Sequence, residues 1–471
     1  MQRGREIMVS RRVNVKNLRD SRRVYGKSHS RYSTEDVPKY DFPEGMMESK
    51  VAYQLIHDEL NLDGNPDLNL ATFVTTWMEP EAERLIMENL HKNFIDHFEY
   101  PQVKDIEERI VNIMANLYNA PKDSNFVGTS TIGSSEAIML GLLAHKWNWK
   151  QKRKRIGKPY DHPNIVFGAD THVSWDKFAR YFDVEPRVIP IRSDTYTISV
   201  EDAIKAVDEN TIAVGAVLGT TFTGSFDPVI ELNDALVELK KNKGLDVPIH
   251  VDAASAGFIT PFHEPGFRWD FRLEQVKSIN TSGHKFGLVY PGLGWLIFRD
   301  EDILPEDLKF YVNYLGDEMP TYTLNFSEGS SMIVAQYYNI MRLGRKGYTQ
   351  IVEKMMENAS YLASRLTESG EFTVINNANH IPVVTFRFPK QEPFTLFDIS
   401  YRVRERGWIV PAYSLPPDSQ NTTIMRVVVR ENFTKDLVDI FVDDLLNAKK
   451  SLRGGSVKES KSSPRKGHPV S

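Results

Sequence analysis

The sequence predicts an α/β protein, with a mostly parallel sheet covered by helices and a smaller α+β domain towards the C-terminal end. Between 134 and 252 short apolar strands alternate with helices across brief links, the pattern of a parallel sheet whose crossovers pack on it. Beyond about residue 370 the order changes to a few strands with two helices, the pattern of a compact α+β unit. The chain has 471 residues, 41% of them apolar and 26% charged, which allows full hydrophobic cores and more than one globular unit.

Residues 1–42 are rich in Arg, Lys and Ser and lack apolar periodicity, so they are expected to form a flexible basic arm. An organelle transit peptide or an arm that touches anionic surfaces would have a similar composition. An N-terminal segment follows at 43–70, then a large domain at 71–345. Its helical patterns fall at 78–93 and 105–117. Next come helix 134–153, strand 164–167, helix 175–182, strand 187–191, helix 200–207, strand 212–219, helix 230–241 and strand 249–252. A long helical stretch at 332–369 leads into a small domain at 346–450, with strands at 372–375, 383–388 and 424–429 and helices at 396–406 and 436–449. Residues 451–471 read as a disordered tail.

No apolar run reaches the ~18–20 residues of a membrane helix. The nearest, 211–219 and 287–298, read as buried strands. The net charge of −5, spread along the chain, argues against nucleic acid as the partner of the folded body. With no cysteine there are no disulfides, thiolate metal sites or cysteine nucleophiles, and no metal site is expected.

Three stretches carry chemistry. At 128–136 the run Gly-Thr-Ser-Thr-Ile-Gly-Ser-Ser-Glu leads into an apolar helix. Free N–H groups at a helix start, with the hydroxyls of Ser134 and Ser135 after Gly133, form a ready phosphate site. A serine N-cap with Glu136 in the first turn would use the same residues. At 248–254 an apolar strand ends in Asp252, which puts a carboxylate at the sheet edge where such folds bind ligands. A buried carboxylate needs a partner; a protonated ring nitrogen, a salt bridge or a helix cap would serve.

At 278–287 Lys285 stands beside His284 between glycines in a weakly polar stretch. Such surroundings disfavour the ammonium, which suits an amine that must form a Schiff base. A surface lysine with a snorkelling stem is the ordinary alternative. A phosphate cradle, a strand-end carboxylate and a lysine, in that order, are what pyridoxal 5'-phosphate (PLP) requires: an anchor, an acid partner for the pyridine nitrogen and an amine for the aldehyde.

From about 43 to 449 the chain resembles the glutamate decarboxylases among the PLP-dependent group II amino-acid decarboxylases. The resemblance lies in Leu-Asp-Gly-Asn-Pro-Asp-Leu-Asn-Leu-Ala-Thr-Phe at 62–73, Glu-Tyr-Pro at 99–101, Gly-Ser-Ser-Glu-Ala at 133–137 and His-Val-Asp-Ala-Ala at 250–254. It continues in Trp-Asp-Phe-Arg-Leu at 269–273, Ser-Gly-His-Lys at 282–285 and Leu-Asn-Phe-Ser at 324–327. It implies the aspartate-aminotransferase-like fold (fold type I) and α-decarboxylation of L-glutamate to 4-aminobutyrate and CO2.

Carried over residue by residue, Lys285 would hold PLP and Asp252 would pair with its ring nitrogen. Gly133, Ser134, Ser135 and His284 would hold the phosphate, with Ser327 reaching it from a neighbouring subunit. Ala254 would pack on one face of the ring, and Thr221 would lie near its hydroxyl. His172 would stack on the other face, where several glutamate decarboxylases have Gln and many relatives His; a structural histidine is the alternative. Thr72 and Phe73, completed by Asn93 and Asp96, would bind the distal carboxylate, and Arg426 the α-carboxylate unless it serves an ordinary strand ion pair. An aspartate beside a carboxylate substrate predicts best activity at mildly acidic pH.

Decarboxylation of aspartate or an aromatic amino acid is the rival enzymatic reading, and the Thr72/Asn93 pocket favours glutamate. A non-catalytic relative acting by binding would not need both Lys285 and Asp252. The resemblance also implies a homodimer or higher homo-oligomer. A cytoplasmic location is expected, with no membrane partner. The basic tail lacks a Trp anchor and an amphipathic helix, so calmodulin is not an expected partner. His468 near its end could let the tail gate the site with pH.

Overall fold

The structure, a computed structural model, describes residues 38–191, 195–312, 319–417 and 419–454. Most of the expected arm, most of the expected tail and His468 lie outside the described residues. The chain divides into two compact units, Met1–Asn65 and Pro66–Ser471. The described part of the first carries one helix, α1 (Ser49–Leu60), in which only Val51 is buried.

In the second unit α2 (Pro80–Asn89) and α3 (Pro101–Leu117) each open on a proline, whose missing N–H costs nothing in a first turn. There follow β1 (Val127–Thr131), α4 (Ser134–Arg155), β2 (Asn164–Gly168), α5 (Val173–Tyr181), β3 (Glu185–Ile189) and α6 (Val200–Lys205). Then come β4 (Thr211–Val217), α7 (Val229–Lys243), β5 (Ile249–Asp252), α8 (Thr260–His263), β6 (Val276–Thr281) and β7 (Gly294–Phe298). A short pair, β8 (Phe310–Val312) and β9 (Met319–Thr321), precedes the long α9 (Ser331–Glu368). The chain ends its described part with β10 (Thr373–Asn377), β11 (Val383–Arg387), α10 (Leu396–Arg404), β12 (Ala412–Ser414), β13 (Thr423–Val428) and α11 (Lys435–Gly454).

β1 to β7 form one sheet in the order β1-β7-β6-β5-β4-β2-β3. Only β7 runs against its neighbours; the other pairings are parallel. The C-terminal ends of β1, β2, β4, β5 and β6 therefore share one edge, and Ser134, His172, Thr221, Asp252 and Lys285 follow or end those strands. Ile138 and Leu142 of α4 pack with Trp175 and Phe178 of α5 on Ile165, Phe167 and Ala213. Ile110 and Met114 of α3 and Leu232 and Leu236 of α7 pack with Val214, Val251 and Ile279. The sheet is thus buried on both faces, which is why its strands read as apolar runs.

The second sheet, β10-β11-β13-β12, is antiparallel. Met425 and Val427 of β13 pack into the core built with α10 and α11. Val428 packs instead into the core of the large sheet, so by the two-residue period Arg426 lies on the face turned towards that sheet.

Several expectations change. The run 287–298 is a strand only from Gly294, since Pro291 has no N–H for a ladder and Gly292 adopts φ 113°. α2 stops at Asn89, which leaves Asn93 in a loop. α9 is one stretch with a break at Gly344, whose φ 53° and ψ −170° are not helical. α11 runs to Gly454, past the expected start of the tail, because Arg453 pairs with Glu371 and Glu392.

Candidate active site

Lys285 lies in the turn after β6, half-buried. Its Nζ is 3.4 Å from Ser255 Oγ and 5.1 Å from the centre of the Phe73 ring. Burial pushes its pKa down to about 8, with Asp252 opposing the shift and Arg426 adding to it. The segment 72–76, more than two hundred residues earlier, is tied to the same turn. Thr75 donates through its N–H to His284 O at 2.9 Å and through its hydroxyl to Lys285 O at 2.7 Å. These bonds bring Phe73 to the lysine.

Asp252 closes β5 and is buried. Its Oδ1 accepts from Asn280 Nδ2 at 2.9 Å and from the Ala254 N–H at 3.1 Å. Its Oδ2 accepts from Trp175 Nε1 at 3.2 Å. Ala254 is the one residue of 251–260 that is not buried, so the space beside Asp252 opens over its methyl group.

The helix-start expectation needs a correction. The N-cap of α4 is Gly133, not a serine, and its φ of 90° suits only glycine. A side chain there would also lie 2.9 Å from His284 Cε1. Ser134 Oγ bonds Ser282 Oγ at 2.7 Å, and no side chain caps the helix. Glu136 accepts from the Ile132 N–H at 2.7 Å and from the Leu324 N–H at 2.9 Å. The first turn therefore offers open N–H groups. His284 Nδ1 accepts from the Leu293 N–H at 3.3 Å, and burial pushes its pKa down to about 4. The ring is neutral, so its proton sits on Nε2, ready to be donated.

His172 caps α5. Its Nδ1 accepts from the Ser174 N–H at 3.2 Å and lies 2.6 Å from Ser174 Oγ, which is 2.7 Å from Ser135 Oγ. Burial and then the charge of Lys285 lower its pKa, so this ring too is neutral. Arg426 is fully buried. Its guanidinium donates to Thr221 O and, at 2.6 Å, to Ala71 O, and lies 4.8 Å from the centre of the Phe73 ring. Its Nε has no hydrogen-bond partner among the described residues. Thr72 Oγ1 accepts from the Val74 N–H at 3.0 Å, which leaves its proton to give.

Asn93, Asp96 and Ser327 are not joined to Lys285 or Thr72 by any hydrogen bond or ion pair among the described residues. Asn93 Oδ1 accepts from the Glu328 N–H at 3.2 Å, which sets Ser327, itself exposed, on the same segment as Asn93. Sequence reasoning missed Thr75, Trp175, Ser255 and Asn280. Asn280 sits inside the 278–287 stretch and Trp175 opens the expected helix 175–182, but nothing there showed that their donors meet Asp252.

A neutral anion seat at α4, a carboxylate acceptor on β5 and a largely shielded lysine of lowered pKa fit PLP, and with the sheet order they define a lysine-bearing PLP enzyme of fold type I. The pyridoxal-dependent decarboxylase conserved domain matches residues 43–389, so the chain belongs to that family of PLP-dependent decarboxylases. It is 50% identical to the glutamate decarboxylase of Petunia hybrida, over 90% of this chain and 85% of that protein. It is 48% identical to that of Aliivibrio fischeri, over 88% and 90%. Among solved structures, the glutamate decarboxylase of Lactobacillus brevis superposes with TM-score 0.87 at 44% identity, covering 90% of this chain and 97% of that one.

Proposed function

We propose that this chain decarboxylates L-glutamate at its α-carbon, yielding 4-aminobutyrate and CO2 with uptake of one proton. The observation that carries the reading is Lys285, largely shielded from solvent with its pKa lowered, under the influence of the Asp252 carboxylate and 5.1 Å from the centre of the Phe73 ring. Bound PLP supplies an electron-withdrawing ring that makes loss of CO2 from an amino acid feasible.

The chain's own groups prepare that step. Lys285 needs little cost to present a neutral amine. Asp252, held by its three donors, would accept a hydrogen bond from the pyridine nitrogen. Ser134, Ser135 and His284, with the open N–H groups of α4, take the phosphate. His172 would lie against one face of the bound ring, Ala254 would cover the other, and Thr221 would lie near its hydroxyl. Arg426, anchored on two carbonyls, gives its free Nε–H to the α-carboxylate and so fixes which bond stands to break. Phe73 excludes water, and Thr72 gives its hydroxyl proton to the distal carboxylate.

The working form is a homodimer or larger homo-oligomer in the cytoplasm. Exposed Ser327 on the segment held by Asn93 supports this: the assembly that carries Ser327 to a neighbouring site would carry Asn93 and Asp96 with it. Among the described residues no helix is long and apolar enough to cross a membrane. Product analysis with glutamate, aspartate and aromatic amino acids tests the substrate. 4-Aminobutyrate should be the main product, formed faster as pH falls from neutral towards 5. Turnover confined to another amino acid, or a flat pH profile, would contradict the corresponding part.

A further inference from the structure

Asp252 is the end of a longer buried polar chain. In the parallel register of β5 and β6, His250 faces Ser278 and Asp252 faces Asn280. Residues two apart on a strand share a face, so these four polar side chains lie together on the face covered by α4. All four are buried, as is His145 of α4.

The direction of each hydrogen bond can be worked out. Asn280 gives Nδ2–H to the carboxylate, so its Oδ1 can only accept, and the partner 2.8 Å away, His250 Nε2, must carry a proton. Burial lowers the His250 pKa to about 4, so the ring is neutral and its Nδ1 accepts the hydroxyl proton of Ser278 at 2.6 Å. The Ser278 oxygen then accepts from His145 Nε2 at 2.7 Å. His145 is also kept neutral, by burial and then by His250. Every donor points towards Asp252, and each link polarises the next.

The helix makes room for this. A side chain at Gly141 would lie 2.7 Å from His250 Cε1, so α4 carries glycine where the imidazole needs space. Gly215 on β4 does the same for Trp175, the donor to the other carboxylate oxygen. Apolar side chains would fill this space without the desolvation cost of five polar groups. What the chain adds lies at its end, on the carboxylate.

We propose that His145, Ser278, His250 and Asn280 are positioning residues: a one-way hydrogen-bond relay that holds Asp252 as a charged acceptor for the pyridine nitrogen of PLP. This rests on the pairing of Asp252 with that nitrogen proposed above. Without the relay the Asp252 carboxylate keeps a weaker donor and turns more freely, and the ring nitrogen is less fully protonated.

The test uses the full chain, PLP labelled with 15N in the ring, and four variants. His250→Leu and Ser278→Ala should each weaken PLP binding to the apoenzyme about tenfold, the scale of one charge-assisted bond. The bound 15N signal should move towards the unprotonated pyridine position. His250→Gln, which keeps a donor towards Asn280, should restore both readings. A merely structural role would lower apoenzyme melting and leave the 15N signal in place. The relay is overturned by unmoved signals in His250→Leu and Ser278→Ala, or by a Gln variant as impaired as the Leu one. If His250→Leu does not fold, Ser278→Ala decides alone. Asp252→Asn separates the two layers: an unmoved signal there overturns the pairing itself.

Discussion

Lys285 has to be neutral to attack an aldehyde, and burial brings its pKa from 10.5 to about 8. The sign is that of a base whose charged form is disfavoured: the amine is mostly protonated below that value and free above it. The rate at which apoenzyme captures PLP should therefore rise with pH and level off above about pH 8. Stopped-flow absorbance would read it; a rate still climbing tenfold per unit through pH 10 would show an ordinary exposed lysine. Lys285 and Asp252 were legible in the sequence because their own neighbours betray them. Phe73 was reached only through family resemblance, since its approach to Lys285 depends on hydrogen bonds from Thr75 across 210 positions. Asn93 and Ser327 could be named but not assembled, because no hydrogen bond or ion pair among the described residues ties them to the lysine.

At the scale of elements, the edge shared by β1, β2, β4, β5 and β6 gathers Ser134, His172, Thr221, Asp252 and Lys285, and α4 contributes twice. Its first turn is the proposed phosphate seat, and Gly141 further along faces His250. Glycine in a helix interior costs about 1 kcal/mol against alanine. Gly141→Ala should nonetheless destabilise the apoenzyme by about 1–3 kcal/mol, because overpacking His250 outweighs helix propensity. Urea denaturation checks this, and a stabilised variant would mean that the imidazole yields easily. The elements themselves were largely legible, because a sheet buried on both faces writes its strands as apolar runs. β1 was not, since Val-Gly-Thr-Ser-Thr has too few apolar residues to show a period. The break of α9 at Gly344 was hidden by apolar periodicity on both sides of it.

Across the whole molecule, buried acids tie stability to pH. Asp170, after β2, is 1% exposed, and among the described residues neither side-chain oxygen makes a hydrogen bond of good geometry, Thr220 giving only a weak interaction. Burial and the neighbouring Asp227 raise its pKa well above 3.8, and burial raises that of Asp227 to about 6. Above about pH 4 the unfolded chain loses the Asp170 proton while the folded one keeps it, so this residue makes stability fall as pH rises. Asp170→Asn should match the wild type near pH 4 and gain on the order of 1–2 kcal/mol at neutral pH. Melting of the apoenzyme across that range decides it; a constant difference at all pH values would mean that Asp170 is not held protonated.

The role of Lys285 is tested most directly by reducing the PLP-loaded protein with borohydride and locating the phosphopyridoxyl group by peptide mass spectrometry. The group should sit on Lys285 alone. Finding it on another lysine, or finding Lys285 unmodified in protein that still decarboxylates, would contradict the site described above.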